Sequence, residues 1–304
     1  MRAGRKYGKQ TVNLTLTVLE IVAPVFLLAA IGYTWVKLGF EYRIEFVTKL
    51  AMSLSVPVLI FTALMKSEID PAALTTLSLA SAAAYGVITL AAYVAVRLAG
   101  LDLRTYLAPL TFGNTGNLGL PLALFAFGEA GLGFAVVVFA VMAIWSFTFG
   151  VWIVAGGGSP AKALKEPIVW ATLLGALFLW QGWHTPRFLT NTLDLLGQIA
   201  IPIMLITLGV ALARLKLSGL SRALVLSLGK VAVTVAIGWA VGQAFGLGPV
   251  PLAVLVLQVS TPVAVTSYML AEKYGADSDA VAGLVVISTL SSVATIPLTL
   301  AFLI

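Results

Sequence analysis

The sequence predicts an all-α membrane protein that crosses the bilayer many times, on three observations. The 304-residue chain is 60% hydrophobic and 10% charged, with a mean hydropathy of +1.05. Apolar runs of about 20 residues, long enough to cross a hydrocarbon core, recur along it. The runs are continuous and not alternating, which excludes a β-barrel.

Ten spans are expected, near residues 14–37, 46–65, 72–98, 104–127, 131–155, 167–184, 189–213, 222–246, 250–273 and 280–303. The first follows a basic tail of Arg2, Arg5, Lys6 and Lys9 and mimics a signal peptide. Its apolar run from Leu14 to Trp35 is too long for a signal core, so it reads as a span. Asp70-Pro71 opens span 3 as an N-cap with proline at the first helical position. Gly128-Glu129-Ala130-Gly131 is a tight connector, and Gly156-Gly157-Gly158-Ser159-Pro160 is the most linker-like segment. Asp277-Ser278-Asp279 gives span 10 a capped, acidic start that suits the helix dipole. Trp35, Trp170, Trp180 and Trp183, with His184, fit an interfacial aromatic belt.

The glycine linker divides the chain into 1–155 and 156–304, with five spans on each side, and the halves echo one another. Ser55-Val56-Pro57 of span 2 has a counterpart in Ala200-Ile201-Pro202 of span 7. Gly113 to Pro121 of span 4 has one in Gln258-Val259-Ser260-Thr261-Pro262 of span 9, at a spacing near 147 residues. An odd number of spans per repeat inserts the second copy upside down, a recurrent secondary-transporter construction. Without the tail, Lys and Arg fall 11 to 2 in favour of the loops 1/2, 3/4, 5/6, 7/8 and 9/10. Those loops are therefore expected in the cytoplasm.

The candidate site lies at the two interrupted spans. Gly113-Asn114-Thr115-Gly116-Asn117-Leu118-Gly119-Leu120-Pro121 is the wrong composition for a lipid-facing helix, because each Gly costs about 1 kcal/mol and Pro about 3. Unwound backbone at bilayer depth survives only where protein or a watery cavity supplies partners. Asn114, Thr115 and Asn117 offer amide and hydroxyl groups, and the glycines expose backbone N–H. Gln258, Ser260, Thr261, Thr266 and Ser267 give a matching set around Pro262. Two helix N-termini converging there favour a carboxylate or another small anion. Small residues also permit plain helix packing, but packing does not require two asparagines beside a proline. No acidic residue lies in or beside either break, Glu20 and Asp194 being near span ends. Lys230, inside span 8, reads first as a snorkelling side chain, with a functional role as the alternative. The chain has no cysteine and one histidine, and no catalytic, metal or cofactor motif is present. Neither an enzyme, a bound cofactor nor a nucleic-acid partner is expected.

Phe112 to Pro121 resembles the span 4 motif of the auxin efflux carrier family of permeases, in the bile-acid/arsenite/auxin transporter superfamily. Gln258 to Pro262, with Ala271-Glu272-Lys273-Tyr274, Ser288-Thr289-Leu290 and Ile296-Pro297, is similar to that family's spans 9 and 10. Val18-Leu19 through Pro24 to Gly32-Tyr33 is similar to its first span. The resemblance implies a 5+5 inverted repeat in which broken helices 4 and 9 cross. It implies a dimerising scaffold of spans 1, 2, 6 and 7 and a moving unit of spans 3–5 and 8–10. Gly113 stands where plant exporters carry proline, and their long cytoplasmic loop is absent, as in a prokaryotic member. The expected activity is secondary transport of a small organic anion across the inner (plasma) membrane, chiefly export, by an elevator motion. The residues expected to bind it are Gly113, Asn114, Thr115, Gly116, Asn117, Pro121, Gln258, Ser260, Thr261, Pro262 and Thr266, with Ser53, Ser55 and Met204 facing them from the scaffold. A Na⁺-coupled symporter of the bile-acid type is the alternative.

Overall fold

A computed structural model describes residues 14–66, 70–157, 167–214 and 220–303. Among them every regular element is helical. In chain order these are α1 (Leu14–Lys37), α2 (Ile44–Leu50), α3 (Val56–Met65), α4 (Pro71–Leu98), α5 (Leu103–Thr111), α6 (Leu120–Trp145) and α7 (Val151–Ala155). The second half has α8 (Pro167–Gln181), α9 (Arg187–Gln198), α10 (Ala200–Arg214), α11 (Leu220–Ala244), α12 (Pro249–Val259), α13 (Val265–Tyr274) and α14 (Ser278–Leu303). Single π-helical turns join α2 to α3 at Ala51–Ser55, lead into α6 at Thr115–Gly119, and join α6 to α7 at Ser146–Gly150.

Seven helical stretches among the described residues are long and apolar enough to cross a membrane. Two further apolar helices, Trp170–Gln181 and Pro249–Val259, are shorter. The lower number than ten has a physical origin. The expected fourth and ninth spans are interrupted, and the expected fourth and fifth run together as one stretch, Thr115–Ala155. Gly128 breaks that stretch with φ 65° and ψ −158°, where the connector was expected. The tail Arg2 to Lys9, the linker from Gly158 and the loop residues Lys162, Lys165 and Lys216 lie outside the described residues.

Local capping follows the sequence. Asp70 Oδ1 accepts the Ala72 N–H at 3.0 Å, and Asp277 Oδ1 accepts that of Ala280 at 3.0 Å. Asp102 caps α5, taking the Thr105 N–H at 2.9 Å and its hydroxyl at 2.6 Å. The Thr105 hydroxyl holds the Asp102 carboxyl below its usual range, helped by backbone N–H groups and Arg104 and opposed by burial. Trp35, Trp170, Trp180 and Trp183 are exposed, as an interfacial belt requires.

Two sets of neighbouring helices stand out, and they share their cores, α3 and α10 packing into one cluster with α4, α6 and α12, and α1 and α10 into another with α6 and α14. In the first, α1 lies along α10, and α3 packs on α8 and α9. The α1–α10 contact is backbone to backbone. A Cβ on Gly209 would sit 1.7 Å from the Ala29 carbonyl oxygen, and one on Gly32 would sit 2.0 Å from that of Ile206. Glycine is what permits this approach between membrane helices. Tyr42 Oη and Thr207 Oγ1 share a hydrogen bond of 2.7 Å across the same group. In the second, α4, α5, α6, α7, α11, α12, α13 and α14 pack on one another. Arg104 ties its elements at one end, donating to the Val154 carbonyl at 3.1 Å and the Tyr274 carbonyl at 2.7 Å.

Three outcomes follow. Gly209→Val drives a side chain into α1 and costs about 1–3 kcal/mol or more, read as a lower melting temperature in detergent. Gly86→Ala, with nothing within 4 Å of its Cβ position, melts like the parent. Asp102→Ala costs about 1 kcal/mol at neutral pH. Because the folded pKa is depressed, the cap contributes fully above the ordinary carboxylate range and is lost as pH falls through the folded value. The difference in melting temperature between Asp102→Ala and the parent therefore closes only in strong acid.

Candidate functional site at the crossing of the two interrupted helices

Between α5 and the following π turn, the chain extends at Phe112 (φ −99°, ψ 126°). Between α12 and α13 it extends at Ala264 (φ −70°, ψ 139°). The two extended pieces meet, and Gly113 pairs antiparallel with Val263. The Asn114 N–H donates to the Pro262 carbonyl at 2.7 Å. The Val263 N–H donates to Ser288 Oγ of α14 at 3.0 Å, and the Lys230 ammonium of α11 donates to the Thr261 carbonyl at 2.7 Å. Part of the polar backbone freed by each break is thus paired with the other break and with two neighbouring helices, as low dielectric demands.

Gly113 has a steric reason. A Cβ there would lie 2.2 Å from Thr261 Oγ1 and 2.9 Å from the Thr261 carbonyl oxygen. Proline would place its Cβ in the same space, so the two chains approach more closely than a proline at this position allows. Gly119 serves a second close approach, since its Cβ would meet Gln258 Oε1 at 2.1 Å. The Gln258 amide therefore lies against the π turn that carries Thr115.

The expected binding residues separate into three sets. Asn114, Thr115, Gln258, Ser260 and Thr261 are each at most 5% exposed, and Gly113 and Pro262 are buried with them. Gly116 and Asn117 are half-buried, and Pro121 is buried in the first turn of α6. Ser55 and Met204 are buried, and Met204 shares a core with Phe112 and Leu120. Ser53 and Thr266 are exposed and stand apart from this cluster, whereas Ser267 is buried.

Several buried polar atoms at the crossing have no hydrogen-bond partner among the described residues: Asn114 Nδ2, Thr115 Oγ1, and both Oε1 and Nε2 of Gln258. The hydroxyls of Ser260 and Thr261 instead turn back to the Leu257 and Gln258 carbonyls. Unpaired buried amides are costly, about 1–3 kcal/mol each, and their concentration in one place marks a place built to meet a polar group. Amide N–H donors predominate, joined by the first N–H groups of the turn Thr115–Gly119, which have no intrahelical partner. This set matches an oxyanion better than a cation.

Two contributors were not in the expected site. Lys230 does not snorkel. It is 5% exposed and its ammonium ends on the crossing. The signal was present as a lone cation inside an apolar run, but 31 residues of chain separate it from Thr261 and only folding joins them. Ser288 likewise reaches the break from α14.

A cavity of about 820 Å³ opens between α3, α9 and α10 on one side and α6 on the other. Leu124, one turn beyond Pro121, lines it, as do Glu129, Gln198 and the ion-paired Lys66 and Asp194. At the opposite ends of the helices a smaller pocket of about 340 Å³ holds Tyr106, Arg222, Asp277 and Asp279.

Gly113→Ala is expected to push the crossing apart and lower the melting temperature. Adding Thr261→Ala removes the nearer clash and recovers part of the loss, whereas Thr261→Ala by itself does not stabilise the parent.

The model of the membrane transport protein family matches residues 17–160 and 157–300. An uncharacterized transporter of Methanothermobacter thermautotrophicus is 26% identical over 295 residues, which are 92% of this chain and 96% of the relative. Another, from Methanocaldococcus jannaschii, is 28% identical over 215 residues, 66% of this chain and 67% of the relative. A Rhizobium meliloti protein named "Putative malonate transporter" is 26% identical over 199 residues, 61% of this chain and 62% of the relative. With its multi-pass helical fold, this chain belongs to the membrane transport protein family, the auxin efflux carrier family that its two interrupted motifs resemble, and is a transporter and not an enzyme.

Proposed function

We propose that the protein is a secondary carrier for a small organic anion, a carboxylate, which it binds at the crossing of its two broken helices and exports by an elevator-type motion. The observation that carries this reading is the cluster of unpaired buried donors on Asn114, Thr115 and Gln258. A carboxylate accepts hydrogen bonds only, and each such bond to a charged acceptor is worth about 1.5–3 kcal/mol. The name of the Rhizobium relative points to malonate as the first substrate to try. The membrane potential drives an anion outward by about 2.3 kcal/mol per charge per 100 mV, which favours export.

Ten spans in two inverted five-span repeats, 1–155 and 156–304, belong to the same reading. In its support, the expected second and seventh spans are both interrupted just before their matching prolines. A π turn at Ala51–Ser55 precedes Pro57, and the gap at Ile199 precedes Pro202. In this reading spans 1, 2, 6 and 7 act as a scaffold and spans 3–5 and 8–10 as a moving unit, supported by the close packing of α1 on α10 and of α3 on α8 and α9. The large cavity lies on the border between them, on the side that the charge tally assigns to the outside. The scaffold also supplies the dimer contact expected from the family, in the inner (plasma) membrane.

Proteoliposomes holding the purified protein are expected to pass labelled malonate faster than empty vesicles. Asn114→Ala or Gln258→Ala removes donors from the anion and lowers the flux about tenfold or more, with a melting temperature near that of the parent. Flux equal to empty vesicles for malonate and other short mono- and dicarboxylates, or parental flux in both variants, defeats this reading.

A further inference from the structure

We propose that Lys230 is the carrier's built-in cation, holding the C-terminal end of α12 in the position that a bound Na⁺ ion fills in cation-coupled carriers, so that the anion moves without a coupling cation. The proposal rests on the transport reading above and adds what balances the charge at the crossing.

The placement of Lys230 is built into two helices. The buried face of α11 runs through Ala223, Ser227, Lys230, Thr234, Gly238 and Gly242, a single stripe at helical spacing. That stripe lies along α12. A Cβ on Gly242 would meet Leu252 Cδ1 at 2.3 Å, and one on Gly238 would meet Val259 Cγ2 at 2.9 Å. Two glycines thus bring the helices into close contact, and the stripe continues to Lys230 at the point where α12 stops. The ammonium lies 2.7 Å from the Thr261 carbonyl oxygen, just past the end of that helix.

The electrostatics make this a cation site. A helix C-terminus carries about half a negative charge; at the end of α12 the Val256, Leu257 and Gln258 carbonyls are met by Ser260 and Thr261, and the Thr261 carbonyl beyond them is met by Lys230. In secondary transporters with broken helices, such ends and the unwound carbonyls beside them coordinate Na⁺ or a proton. Here that end faces a covalently attached ammonium. A charge at this depth is costly to insert, about 2.5–3.5 kcal/mol on insertion scales, and marks a functional position. The ion pairs found among the described residues, Glu41–Arg43 and Asp194–Lys66, do not include Lys230. Its ammonium meets a backbone carbonyl and not a carboxylate, which leaves net positive charge at the crossing for an anionic substrate to balance.

The test begins without substrate. Purified protein is melted in NaCl and in choline chloride at equal ionic strength. The parent is expected to melt at one temperature in both salts, and Lys230→Arg to share that indifference. Lys230→Ser, which leaves the carbonyl end uncompensated, is expected to melt lower in choline and to gain several degrees in NaCl. A parent stabilised by Na⁺ overturns the proposal, as does a Lys230→Ser variant that behaves alike in the two salts. Should Lys230→Ser fail to fold, parental malonate flux decides. Equal flux in Na⁺ and choline supports the proposal, and a drop of about tenfold in choline, the scale of ordinary ligand coupling, overturns it. Melting needs no substrate, so absent malonate flux counts against the anion reading and leaves the Na⁺ result to stand or fall separately.

Discussion

Everything in this fold depends on one antiparallel contact between two extended pieces of chain. Gly113 faces Val263, and the Asn114 N–H meets the Pro262 carbonyl at 2.7 Å. Neither break is tolerable alone, because unwound backbone inside a bilayer forfeits hydrogen bonds that water cannot replace. Each break solves the problem of the other. What remains unpaired is taken up by Ser288 and Lys230, which recruits α14 and α11 to the same point. The contact therefore fixes the relative placement of four helical segments, and it makes glycine necessary at 113.

The same constraint explains why unpaired polar groups gather where they do. Breaking a helix exposes N–H groups at the start of its second half and carbonyls at the end of its first. The start of the turn Thr115–Gly119 brings donors, and the unpaired amides of Asn114 and Gln258 add more. The end of α12 brings carbonyls, and Lys230 covers one of them. The local balance leaves more unpaired amide N–H groups than acceptors, Gln258 Oε1 being the unpaired acceptor, while Lys230 takes up the Thr261 carbonyl. This balance is a consequence of geometry as much as of residue type, since Thr261 and Ser260 are polar yet spend their hydroxyls on their own helix.

The packing also places close backbone contacts at two separate points. The α1–α10 contact is held by Gly32 and Gly209 at backbone distance and carries none of the polar chemistry. The crossing is held within the other group, where Arg104 staples the ends of α7 and α13. The large cavity lies on the border between the two sets of helices, lined from both sides.

Much of this was legible in the sequence. Apolar run length fixed the class, and α1 begins and ends at the residues expected. The caps at Asp70 and Asp277 and the connector at Gly128 depend on neighbours close in the chain, so local rules reach them. The interrupted motifs announced themselves by composition, because Gly, Asn and Pro are penalised in a helix wherever it is. The sequence did not reveal which polar groups meet. Lys230 read as a snorkelling side chain because its partner lies 31 residues away, and polarity by itself did not say that Ser53 and Thr266 are exposed while Asn114 and Gln258 are buried. By itself the sequence determined the helices, their breaks and the stock of polar groups, all set by local backbone energetics and by the cost of polarity in lipid. Only the tertiary structure decided which break pairs with which, which polar groups stay unpaired and which helix end a lysine covers, because those depend on distances between segments far apart in the chain.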